Sequence, residues 1–476
     1  MNFSDFFLMR HEIVLTIIAL IILVCEIFTH DDKKHPIMIL ALVLFGLHTV
    51  FGFAATNTGE LFGGSFRNTQ MTLLMKNILN IGILIILFQS FKWLRTPENA
   101  IKISEFYIIL FSSVLGMYVM ISSGDFLMMY LGLETATIPL AGLAAYDRYK
   151  EKSAEAGVKL ILSSALSSGI LLYGISMIYG TTGTFYFPEI AAKWAITPLQ
   201  VVAFIFFFAG MAFKISIVPF HLWTADVYEG SPISVTGFLS VISKGAAVFI
   251  LITILFTVFK SMAPMWKEVI WATSVITMTL GNLFAIRQQN LKRFLAFSSI
   301  AQAGFIFLGI IAGTQLGMTS VVYFVLIYIF SNLGAFGVVA AIYDVTGKET
   351  IDDYNGLYRT NPNLSLMMLV SLFSLAGIPP VAGFFGKFFL FTAAAQGGSY
   401  FYYILVLIAL LNTVISLYYY LLVVKAMFLN RSENAIAYFK SDWSTKTALL
   451  LCLAGIVITG LASPIFSYIQ SLSFGL

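Results

Sequence analysis

Charge is what this sequence has least of. Of its 476 residues only 11% are Asp, Glu, Lys or Arg, against about a quarter in an ordinary soluble domain. Apolar residues make up 59% and the mean hydropathy is +0.91. A water-soluble fold could not hide that much apolar surface, so a soluble enzyme, a disordered chain and a nucleic-acid binder are excluded. Cysteine is nearly absent. The two present, Cys25 and Cys452, lie in apolar runs; they can neither staple a secreted scaffold nor supply the four ligands of an iron–sulfur cluster. No glycine-rich nucleotide-binding motif occurs. Long polar segments are missing too: the connections near 344–363 and 429–445 are too short for a soluble domain.

What remains is apolar runs. They are unbroken, as over 13–27 and 203–212, without the alternation of a transmembrane barrel strand. The fold class is therefore all-α, a polytopic transmembrane helical bundle. The spans read as 12–29, 36–55, 71–91, 104–122, 125–145, 157–179, 198–226, 232–258, 266–286, 291–312, 316–343, 364–396, 400–428 and 446–470, about 14 helices. The first run lacks a small-x-small cleavage site and reads as a retained helix rather than a signal peptide. Two spans, 198–226 and 364–396, are too long for one straight helix and contain Pro219 and Pro379–Pro380. Proline removes a backbone donor and clashes with the preceding turn, so both are expected to be broken.

Basic residues sort unevenly between alternate loops, sixteen to five, with Lys33, Lys34, Lys92, Arg148 and Lys446 among those on the richer side. By the positive-inside rule both termini face away from the basic compartment, the periplasm in a bacterial inner membrane. The net charge of +4 reflects this sorting and calls for no nucleic acid.

Some charges fall inside spans, where each costs at least about 2.5–3.5 kcal/mol at mid-bilayer. Lys244 is central in its span, too deep to reach an interface. Lys214 precedes Pro219 and His221, and an opened backbone at membrane depth needs protein or a water cavity around it. Glu134 lies ten residues into its span and is the natural partner for a buried lysine. Lys387 follows a break built from Pro379, Pro380 and Gly383 that echoes the one at Pro219. The echo points to two inverted five-helix repeats, each with a broken helix: residues 1–103 hold three N-terminal helices, 104–258 and 266–428 the repeats, and 446–476 a last helix. Weaker candidates are Lys159, which also has Glu155 four residues earlier as a surface partner, and His221, a possible relay or a hydrogen-bonded structural group. Lys425 and Lys76 are near enough to span ends to snorkel, and Glu26 lies near the end of the first span. Desolvation weakens a lysine's hold on its proton and a nearby carboxylate restores it. A row of lysines ended by a glutamate can thus pass protons by changes of pairing.

These residues carry a resemblance. The run Phe213 to Trp223 (FKISIVPFHLW), then Asp226 to Pro232 (DVYEGSP) and Lys244, resembles the antiporter-like membrane subunits of respiratory complex I, as do Gly281–Asn282, Lys292 to Ile300 (KRFLAFSSI) and Gly377 to Lys387 (GIPPVAGFFGK). The likeness runs from about Ser123 to Lys425. The segment after His221, and a lysine rather than glutamate at 387, resemble the N-type branch more than the larger relatives or the multisubunit sodium/proton antiporters. Gln302 stands where many relatives carry histidine, which puts a relay through that position in doubt, and Ala225 replaces a frequent proline. The resemblance implies a proton-translocating subunit of an NADH:quinone oxidoreductase with Glu134, Lys214, Lys244 and Lys387, and further Lys159, on the proton path. It implies other membrane-arm subunits as partners, and NADH, FMN, iron–sulfur clusters and quinone on those partners, with no cofactor or metal on this chain. A cation/proton antiporter subunit, a subunit of a related membrane-bound hydrogenase or dehydrogenase, and a purely structural membrane subunit stay open.

Overall fold

The computed structural model describes residues 3–30, 34–54 and 57–472; Lys33 and Leu476 lie outside them. Among these residues, thirteen helices are long and apolar enough to cross a membrane, and two shorter apolar ones, Pro362–Ala376 and Ala382–Ala395, make one interrupted crossing. With it the count meets the fourteen expected.

In chain order the helices are α1 (Arg10–Phe28), α2 (His35–Gly52), α3 (Gln70–Leu94), α4 (Ile103–Ile121), α5 (Phe126–Ala144), α6 (Glu151–Thr182), α7 (Pro198–Ile215), α8 (Leu222–Gly230), α9 (Ile233–Thr257), α10 (Ala263–Ile286), α11 (Leu291–Ala312), α12 (Gln315–Thr346), α13 (Pro362–Ala376), α14 (Ala382–Ala395), α15 (Tyr400–Phe428), α16 (Trp443–Leu461) and α17 (Ser463–Ser471). Side-chain caps set several starts. Thr69 and Thr197 form capping boxes with Thr72 and Gln200, and Asn290 accepts from the backbone of Lys292 and Arg293 at 2.9 and 3.2 Å, satisfying N–H groups that a helix leaves open.

Helices α4 to α9 and α10 to α15 run through the same series. Each opens on a tight helical hairpin, continues into a 32-residue helix (α6, α12), reaches a broken crossing and closes on a single one. An odd number of crossings makes the second series start from the opposite face. The opening hairpins pack through glycine. A Cβ on Gly116 would lie 2.2 Å from the backbone nitrogen of Ala136, and one on Gly281 2.7 Å from that of Ala301. Small residues let membrane helices approach where no hydrophobic force drives them together. Helix α12 is buried along its membrane window, whereas α6 is mostly peripheral. Helix α3, also largely buried, packs on α9, α12 and α16.

Three details depart from the sequence reading. Residues 59–61 and 66–68 form a small antiparallel hairpin, β1 and β2, in an otherwise helical chain. The last span, expected over 446–470, stops at Leu461; Ala462 leaves the helical region (ψ 83°) and α17 restarts at Ser463 with Pro464, which has no N–H to bond back into α16, in its first turn. Lys76 does not snorkel. It is fully buried and its Nζ lies 2.5 Å from Glu12 Oε1, because the start of α1 brings a carboxylate against α3 and an ammonium so paired has no need to reach an interface.

Candidate functional site

Both expected breaks are present. Helix α7 ends where Ser216 adopts a left-handed conformation (φ 66°), and α8 resumes at Leu222. Helix α13 ends at Gly377 (φ 87°), and α14 resumes at Ala382. Pro219 lies in the first gap, Pro379 and Pro380 in the second. Lys214 stands two residues before its gap, whereas Lys387 stands in α14, after its own. Gly383 makes the second break possible, because a Cβ there would fall 1.6 Å from the carbonyl oxygen of Ser374. Its N–H donates to Ser374 Oγ at 3.1 Å.

Lys244 follows a turn of wider π-helix, Phe238–Ser243, a distortion common at functional positions. Its side chain is 2% exposed. The ammonium donates to Ser299 Oγ at 2.7 Å and lies 5.9 Å from the centre of the Tyr228 ring. From Ser299 the polar contacts continue through its neighbour on α11. Ser298 Oγ and Tyr420 Oη are 2.5 Å apart, and Gln302 Nε2 donates to Tyr420 Oη at 3.3 Å and to the Leu375 carbonyl at 2.9 Å. The next carbonyl, of Ala376, accepts from Lys387 Nζ at 3.1 Å, and that ammonium sits 4.5 Å from the Phe305 ring centre. Hydroxyls, one amide and the carbonyl ends of a broken helix thus line the way between two buried lysines on separate series, in two hydrogen-bonded pieces that meet as adjacent residues at Ser298–Ser299 and at Leu375–Ala376. Gln302 occupies the middle of the ladder: it binds on both sides but carries no titrating group.

The first end of the row is arranged differently from the expected ion pair. Lys214 Nζ donates to Thr137 Oγ1. Glu134 lies one turn earlier on α5, with Oε1 buried and without a hydrogen-bond partner, and makes no direct contact with Lys214 in this state. Residues three apart share a helix face, so the carboxylate and the threonine hydroxyl are alternative acceptors for one ammonium. His221 is buried at the first break, and neither ring nitrogen makes a hydrogen bond of regular geometry.

Lys159 is not drawn into the buried row. It is 41% exposed and bonds Glu155 and Asp226, each at 2.6 Å. Asp226 also meets Arg293 at 2.7 Å, and Glu229 links Arg293 and Lys152, both at 3.0 Å. This network ties α6, α8 and α11 together just beyond the first break. The surface pair with Glu155 is formed, and Asp226 adds a link that spacing did not reveal. Lys425 is exposed in the last turn of α15, and Glu26 pairs with Lys34.

Thr137, Ser299 and Tyr420 were not singled out from sequence, since hydroxyls in membrane helices are common and only their partners mark them. Among the described residues no group of three or more His, Cys, Asp or Glu side chains is placed to hold a metal ion.

A family profile described as the transmembrane part of NADH:quinone oxidoreductase and Mrp antiporters matches residues 123–416. NADH-quinone oxidoreductase subunit N of Azobacteroides pseudotrichonymphae is 49% identical over 100% of this chain and 99% of that one. Among solved structures, a chain of respiratory complex I from Thermus thermophilus is 26% identical, with a TM-score of 0.79 over 96% of this chain and 98% of its own. A chain of the Mrp complex from Dietzia superposes with a TM-score of 0.86 at 19% identity, covering 99% and 96%, a likeness of fold. The profile spans the two broken helices and all four charged positions from Glu134 to Lys387, and the chain belongs to the antiporter-like membrane-subunit family of NADH:quinone oxidoreductases and Mrp antiporters, with subunit N among its full-length relatives.

Proposed function

We propose that this chain is a proton-translocating membrane subunit of an NADH:quinone oxidoreductase, moving protons along Glu134, Lys214, Lys244 and Lys387 while redox chemistry runs on partner subunits. The observation that carries the reading is the ladder from Lys244 to Lys387: buried amines cost several kcal/mol in a membrane and are here each held by a single hydrogen-bonded neighbour rather than neutralised by a carboxylate. Such groups can exchange their protons as neighbouring charges change. The side with fewer basic loops supports placing both termini in the periplasm of a bacterial inner membrane, with NADH, FMN, clusters and quinone held by other subunits.

Purification from membranes through a tag on this chain tests the assembly: flavin- and cluster-bearing partners and NADH oxidation should come with it. An isolated antiporter free of redox partners would overturn the reading. For orientation, a reporter that works only in the periplasm, fused after Leu476, should be active; activity of a cytoplasmic reporter there would mean an odd number of crossings.

The first end of the row offers a sharper test. Glu134 and Thr137 compete for Lys214, so Glu134→Ala and Lys214→Ala should each lower proton pumping several-fold in assembled complex. Without Glu134 the ammonium keeps only the Thr137 hydroxyl as acceptor, and without Lys214 the carboxylate loses the cation it would exchange with. Glu134→Asp keeps the charge with a shorter reach and should retain more activity than Glu134→Ala. Wild-type pumping by both alanine variants would make these charges structural.

A further inference from the structure

A second buried ionic cluster lies outside the lysine row, where α1 begins and α2 ends. Lys76 of α3 and Glu12 of α1 are 0% and 4% exposed, with Nζ and Oε1 2.5 Å apart. His11 and His48 flank the pair, their ring centres 5.1 Å from each other, and His48 Nε2 lies 3.3 Å from Tyr118 Oη. Tyr118 in turn donates to Asn80. The charged and titratable side chains facing the pair are thus Arg10, His11, His48 and Tyr118.

Two features set this cluster apart from a simple ion pair fastening α1 to α3. Its polar capacity exceeds its bonds: Glu12 Oε2 and both ring nitrogens of His11 are buried without a hydrogen-bond partner among the described residues. A groove of about 330 Å³ between α1 and α2 also reaches it; most of its lining is apolar, from Val14 and Ile17 to Leu47 and Phe51, and its polar side chains, Arg10, His11 and His48, gather with Gly52 at the end beside the cluster. Gly52 keeps that junction close, since a Cβ there would lie 2.3 Å from Asn77 Oδ1 and 3.0 Å from His11 Cε1. Arg10 holds the mouth through the carbonyls of Gly52 and Ala54 at 2.6 and 2.7 Å.

We propose that Glu12, Lys76 and His11 form a second proton-binding site, exchanging with water at the groove and separate from the central row. At rest the ammonium and carboxylate cancel. A hydronium at the Arg10 end of the groove gives its proton to one His11 ring nitrogen and leaves as water, while the other ring nitrogen releases a proton to Glu12 Oε2, the carboxylate oxygen Lys76 does not hold. The carboxylate becomes a carboxylic acid, Lys76 stays charged, and the cluster's charge rises from zero to +1; release reverses each step. One turn along α3 from Lys76, Leu79 packs against Gly245, 3.3 Å from where its Cβ would stand. The new charge therefore arises on α3, which packs against the helix that carries Lys244. This rests on the proton-moving reading above.

The test is proton pumping per NADH oxidised by the whole complex in sealed vesicles, over a range of pH. Glu12→Gln combined with Lys76→Met removes the site and leaves no unpaired charge, so a merely structural pair should be relieved by the double change. The expected result is assembled complex pumping at no more than about half the wild-type rate, with an altered pH profile; rates near zero need not follow, since the central row is intact. Lys244→Ala is measured alongside. Wild-type pumping by the double variant with Lys244→Ala defective overturns the second site. Wild-type pumping by both overturns the central row and this site together, and a defect in the double variant alone supports the site while overturning the row. Should the double variant not assemble, His11→Leu keeps the ion pair and removes the route to the groove; a fall of about twofold supports the site, and an unchanged rate overturns it.

Discussion

Replacing Lys244 with alanine is expected to lower NADH-driven proton pumping by about tenfold or more, since a positioned proton-transfer group contributes roughly 10²–10⁴-fold where its step limits. The ammonium is 2% exposed, and its close acceptor is the Ser299 hydroxyl at 2.7 Å. Loss of the side chain ends the ladder toward Lys387 at that hydroxyl. Packing is the competing explanation, and Lys244→Met separates the two. Methionine fills similar volume, and exchanging a buried charge for a well-packed apolar group is often neutral or stabilising. Its complex should assemble as well as wild type and still fail to pump. Lys244→Arg adds a third comparison, because a guanidinium stays charged and does not release its proton in proteins. If charge alone sufficed, arginine would restore activity; if proton release is needed, it would not. Dye-monitored acidification of sealed vesicles gives the rate, and NADH oxidation by an artificial acceptor gives the amount of assembled enzyme. Wild-type pumping by an assembled Lys244→Ala complex would remove this residue from the path.

The second large effect concerns the backbone. Gly383→Ala should destabilise the chain by roughly 1–3 kcal/mol or more, the usual cost of overfilling a packed site. The added methyl would lie 1.6 Å from the Ser374 carbonyl oxygen, a backbone atom with no rotamer to give. The break would have to open, separating Gly383 from Ser374 Oγ and shifting Ala376, whose carbonyl holds Lys387. Gly142→Ala is the control. It lies in α5 with nothing within 4 Å of its Cβ position, and alanine is the better helix former. Thermal unfolding of the purified complex should show a lowered midpoint for Gly383→Ala and none for Gly142→Ala. Equal midpoints would mean the second break is looser than its geometry indicates.

Much of this fold was legible because a bilayer constrains the chain locally. Crossing helices need about twenty apolar residues, and a proline with glycines inside such a run has few outcomes in lipid. The breaks at Pro219 and at Pro379–Pro380 were therefore readable, and so was the abnormal depth of Lys214, Lys244 and Lys387. The end of α16 was not read, although Pro464 marks it, because the run over 446–470 stays apolar through the interruption.

What each buried charge meets was decided by tertiary structure alone. Lys76 looked able to snorkel; only the packing of α1 against α2 and α4 brings Glu12, 64 residues away in sequence, within reach of it. Lys159 looked equally able to join the buried row or a surface pair, and the approach of α8 and α11 places it with Asp226 and Arg293. The Ser298, Tyr420 and Gln302 contacts join helices more than a hundred residues apart. Hydropathy and proline act over one helix and are written where they act. A hydrogen bond between side chains on distant helices depends on rotation and register set by the packing of all of them, so the sequence determined the class, the crossings and the lysines at risk, and the tertiary structure determined which of them are joined.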